Sequence, residues 1–123
     1  MSWFRRRLSD AQLRALQQQA SLALDAHLHR DGTLGWTHPD ASVSVTLTTS
    51  GAHYLYTRSN PLPTTPHEDD VDVAVARAGL EAAVAVTDTT VFIEVEPALR
   101  TVEEVDGFKR KCGVVVQSLQ VTS

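Results

Sequence analysis

Glu94 and Glu96 stand two apart in the stretch "TVFIEVEP", a spacing that on a strand sends both carboxylates to one face. If Val91, Ile93 and Val95 point into a core, those carboxylates share the opposite face with Thr46, Thr48 and His53. Two carboxylates beside an imidazole can move protons or hold a hard cation. The outer face of an antiparallel sheet can also simply be solvated.

Other chemistry-bearing residues are less convergent. His67, Glu68, Asp69 and Asp70 are consecutive, and consecutive residues at a helix start point in different directions, so no metal site is expected there. His27 and His29 are expected on a helix, on different sides, each paired with an acid four residues away: Asp31 for His27 and Asp25 for His29. Cys112 follows Lys109, Arg110 and Lys111, and cationic neighbours can activate a thiol. A lone cysteine near a helix is more simply a small buried apolar group. The six glycines are scattered, so a phosphate-binding loop lacks its signal. No catalytic constellation emerges and no cofactor is expected.

Composition narrows the class further. The 123 residues are 42% hydrophobic and 21% charged, ordinary values for a folded chain of one domain. The formal charge of −4 is uneven: residues 1–60 carry six Arg against four acids, and residues 61–123 carry five bases against eleven acids. An acidic body argues against nucleic-acid binding. One cysteine cannot form an internal disulfide, and the N-terminus places Trp3 and Phe4 before Arg5, Arg6 and Arg7, the wrong order for a secretory signal. No stretch is long and apolar enough to span a bilayer, so a cytoplasmic protein without membrane contact is expected.

The elements that must position these residues begin at Leu8. Ser9 and Gln12 form a capping box, Leu8 and Leu13 a hydrophobic staple, and Leu13, Leu16, Ala20, Ala23, Leu24 and Leu28 an apolar stripe. Arg30 and Gly32 suit a helix end, so a helix is expected over 10–30. Leu34 to Thr37 reads as a brief strand. "VSVTLTTSGAHYLYTR" alternates with period two around Ser50-Gly51, which predicts a hairpin pairing Thr49 with Ala52, Leu47 with Tyr54 and Val45 with Tyr56. Val45, Leu47, Tyr54 and Tyr56 then face the core, and Thr46, Thr48, His53 and Leu55 face away.

"SNPLPTTPHEDD" reads as a crossover into a helix over about 66–86, with Thr65 at the N-cap, Pro66 at the first helical position and the acids favoured by the helix dipole. A strand is expected at 90–96, stopped by Pro97. Residues 101–120 form either a short helix closed by Gly113 and followed by a strand, or one helix with Val102, Val105, Phe108, Cys112, Val115, Val116 and Leu119 inward. The Val114-Val115-Val116 run favours the strand.

These elements assemble into a single α+β domain over 1–123, with residues 1–8 as a flexible arm, a mainly antiparallel sheet and helices on one face. The order of elements resembles that of the small α+β chaperones that bind secretion substrates and the regulators that share their fold. The likeness lies in element order, with no diagnostic motif. The expected function is a non-enzymatic protein-binding, adaptor or chaperone-like module. It would work as a homodimer or dock another protein through an exposed sheet face or edge, using Thr46, Thr48, His53 and Leu55, with Trp3 and Phe4 as arm anchors. The rivals are a small enzyme or cation-dependent protein using His53, Glu94 and Glu96, and a structural subunit of a larger assembly.

Overall fold

A computed structural model describes residues 7–121; Trp3 and Phe4 lie outside the described residues. Helix α1 spans Asp10–Ala23 and begins as its sequence requires. The Ser9 hydroxyl accepts from the Gln12 amide at 3.1 Å, and the Gln12 side chain accepts from the Ser9 amide at 2.9 Å. The helix does not reach residue 30. Asp25 takes a left-handed conformation (φ 53°), the Ala26 amide donates back to the Ser21 carbonyl at 3.0 Å, and the Ser21 hydroxyl donates to the Ala26 carbonyl. This is a Schellman end with aspartate where glycine is usual; a short polar side chain tolerates that conformation better than most.

The residues beyond it turn into β1 (His27–Leu28), paired with β2 (Leu34–His38). Gly32, expected to close the helix, serves the connecting turn at φ 90°. A β-carbon there would come within 2.5 Å of the Gln17 side chain.

Strands β3 (Ala41–Leu47) and β4 (Ala52–Arg58) form the expected hairpin in a different register. Leu47 faces Ala52, Val45 faces Tyr54 and Val43 faces Tyr56, because residues 48–51 form a longer turn than the two-residue one expected. The slip is by two residues, so every side chain keeps its face. Gly51 is obligatory: a β-carbon would stand 2.3 Å from the Val95 carbonyl oxygen.

Helix α2 covers Glu68–Arg77, half the expected length, with His67 rather than Thr65 at its N-cap. Gly79 (φ 73°) ends it in a complete Schellman motif, the Gly79 amide donating to Ala76 and the Leu80 amide to Val75. The alanine-rich remainder becomes β5 (Ala83–Val86), a strand read from sequence as helix. It pairs with β6 (Thr90–Val95) through a turn in which the Thr87 hydroxyl accepts from the Thr89 and Thr90 amides. The C-terminal segment is one helix, α3 (Val102–Val121), and the strand favoured over 114–122 does not form. Thr101 caps it, accepting from the Glu104 amide at 3.1 Å. Val105, Phe108, Cys112, Val115, Val116 and Leu119 are all buried, a three-and-four spacing whose burial on one stripe outweighs local valine preference.

The result is an α+β fold: a six-stranded antiparallel open sheet, ordered β1-β2-β3-β4-β6-β5, with the helices packed on it. Leu34, Val43, Val45, Leu47, Ala52, Tyr54, Val91 and Ile93 supply the buried sheet face, and one hydrophobic cluster joins them to Leu16, Ala20, Val71, Ala74 and the α3 stripe. Helix α3 lies centrally, touching α1, α2 and β4.

Candidate functional site

The face turned away from the helices is set by strand alternation. Its central row crosses the whole sheet: His27, Gly35, Ser44, Leu55, Phe92 and Ala85 are successive cross-strand partners. Leu55 is 39% exposed, an unusual value for leucine at the middle of a sheet, and Phe92 beside it is half-buried. One flanking row carries Thr46, His53, Glu94 and Ala83, the other Ser42, Thr57 and Thr90. An apolar centre of Leu55, Phe92 and Ala85 thus sits between polar margins.

The polar margin is internally bonded. His53 Nε2 lies 2.9 Å from Glu94 Oε2, its direct cross-strand partner, and the imidazole leans on Phe92 with ring centroids 5.5 Å apart. Thr46 and Thr33 share a hydroxyl–hydroxyl hydrogen bond of 3.1 Å. Of the residues singled out from sequence, the fold therefore gathers Thr46, His53 and Leu55 on one surface. Thr48 stands at the turn, where its hydroxyl accepts from the Gly51 and Ser50 amides and donates to the Gly51 carbonyl. Phe92, Ser44 and Ala85 belong to the same surface and were not singled out. The alternation Thr90-Phe92-Glu94 held the signal, because fixing Glu94 outward also fixes Phe92.

The trio of His53, Glu94 and Glu96 separates. Glu96 lies past the end of β6, beside Pro97, Ser50 and Arg7. Among the described residues, no three of His, Cys, Asp and Glu gather so as to hold a metal ion. The Lys109-Arg110-Lys111 run is also divided: Lys109 Nζ sits 4.5 Å above the Trp36 ring, and Arg110 pairs with Asp106 one helical turn back. Cys112 is fully buried, and burial pushes its thiol up to about 12, far from a reactive thiolate. His27 and His29 share the outer face of the sheet and not opposite sides of a helix, so the expected pairs with Asp31 and Asp25, which need helical spacing, do not arise.

Among the described residues no strand lies beyond β5, which leaves it as an edge strand of sequence Ala-Val-Ala-Val. Between β5 and α2 runs a groove of about 520 Å³, lined by Val71, Val75, Leu80 and Val84 together with Glu68 and Asp72. No helix among the described residues is long and apolar enough to cross a membrane.

No family model matches this chain, and no curated protein matches it in sequence. In fold, a chain of the solved HopA1-SchA chaperone–effector complex superposes with a TM-score of 0.51, covering 91% of this chain and 94% of that one. At 11% identity the likeness is one of fold alone.

Proposed function

We propose that the chain is a chaperone-like protein-binding module that holds a partner polypeptide on the outer face of its sheet and works as a homodimer. One observation carries the reading: the helices occupy one side of the sheet, leaving Leu55, Phe92 and Ala85 as an uncovered apolar centre with a polar rim. Interfaces that exclude water from an apolar middle and keep a hydrogen-bonding margin have this anatomy. The likeness to a chain of a chaperone–effector complex supports the same class.

A second copy is assigned to the β5 edge. That edge carries neither charge nor proline to discourage pairing, and an antiparallel partner strand satisfies its outward amides and carbonyls.

Size-exclusion chromatography with light scattering, joined to affinity capture and mass spectrometry, tests both parts. The wild type is expected to be a dimer that retains a discrete polypeptide. Leu55→Asp with Phe92→Asp should abolish capture without changing the dimer, and Ala83→Lys, on the edge strand but outside the apolar centre, should yield monomers. A strictly monomeric wild type that captures nothing removes the proposal.

A further inference from the structure

We propose that His27 and His29 form a two-imidazole site for a tetragonal first-row cation, Cu²⁺ or Ni²⁺, at the β1 edge of the outer sheet face. Both side chains are exposed and in contact, His27 in β1 and His29 one residue past its end. Their ring centroids are 4.5 Å apart with planes at 83°. Two imidazoles bound to one ion through metal–nitrogen bonds of about 2.0–2.1 Å have centroids roughly 4.5 Å apart at a right angle and roughly 5 Å apart at a tetrahedral one. The observed edge-on contact already brings the two rings within the range that one shared ion requires. Imidazole donors suit Cu²⁺ and Ni²⁺, and Cu²⁺ stands highest in the affinity order of the first-row divalent ions.

The opposing strand makes room for the pair. Gly35 is the cross-strand partner of His27, and a β-carbon there would stand 2.8 Å from His29 Nε2. The setting is also negative. Asp31 follows two residues after His29, its carboxylate accepting a hydrogen bond from the Thr33 amide at 3.0 Å. With two protein nitrogens, water completes the coordination sphere, so binding is reversible.

This assignment does not depend on the docking surface and is tested apart from it. The full chain, carrying no histidine tag, is titrated with CuCl₂ and NiCl₂ by calorimetry, and the copper-loaded protein is examined by electron paramagnetic resonance. One ion per chain is expected, with hyperfine structure from two imidazole nitrogens. His27→Gln and His29→Gln should each weaken binding by at least the roughly tenfold that even outer-shell changes cost a metal site. His53→Gln should bind as the wild type does. Unchanged affinity in both variants overturns the site, as does loss of binding with His53→Gln. If either variant melts early, the copper spectrum of the wild type decides, and a signal lacking two equivalent nitrogens rejects the assignment.

Discussion

Gly51 and Cys112 show how much a single position can carry. At Gly51 the obstacle to any side chain is the Val95 carbonyl, a backbone atom that cannot swing aside. Gly51→Ala is expected to lower stability by about 1–3 kcal/mol, the usual cost of overpacking, measurable by urea denaturation. Cys112 sits at full burial with its thiol raised to about 12, against an ordinary value near 9. The folded state therefore stays protonated where the unfolded chain ionises. Its contribution is intact below pH 9 and is lost as pH climbs from there toward 12. Tyr54, likewise raised by burial, adds to the alkaline loss above the ordinary tyrosine value. Melting curves at pH 8 to 11 should show that decline, and Cys112→Ala, though less stable at neutral pH, should show a shallower one. The His53–Glu94 pair is half in water, so Glu94→Gln should change stability by less than about 1 kcal/mol. A larger loss would mean that the pair anchors the sheet rather than furnishing its surface.

Elements differ in how fully their sequences declare them. Helix α1 was legible at its start because Ser9 and Gln12 satisfy orphan amides reciprocally, and Ser9→Ala should cost about 1 kcal/mol in thermal or chemical unfolding. Its end was not, because Asp25 supplies a left-handed turn that sequence assigns first to glycine. Strand β5 was hidden for a related reason: Ala83 and Ala85 favour helix, and only pairing with β6 makes them strand. In α3 the error ran the other way, since Gly113 reads as a stop although the helix passes through it. Gly107 and Gly113 both have open space where a β-carbon would go. Gly107→Ala is thus expected to raise stability by about 0.5–1 kcal/mol. A loss instead would show that the helix needs the close approach glycine permits.

At the scale of the molecule, the fold class was readable because period-two alternation in residues 43–58 specifies faces even when the register is misjudged by two. Thr46, His53 and Leu55 therefore reached the outer surface as expected, although their cross-strand partners differ from those read in the sequence. What stayed illegible was long-range: Phe92 beside Leu55 depends on which strands meet. The Leu55–Phe92 adjacency follows from topology rather than from any local pattern, whereas that of His27 and His29 needed only the segment to be read as strand instead of helix.

Helix α3 is contributed by the last described stretch of the chain, yet it occupies the middle of the helical layer. During synthesis the described strands can leave the ribosome before the helix that packs on Tyr54 has been made. Until then the nascent polypeptide presents a greasy sheet face to the cell, and a premature stop near residue 100 should yield insoluble product however sound the preceding strands are.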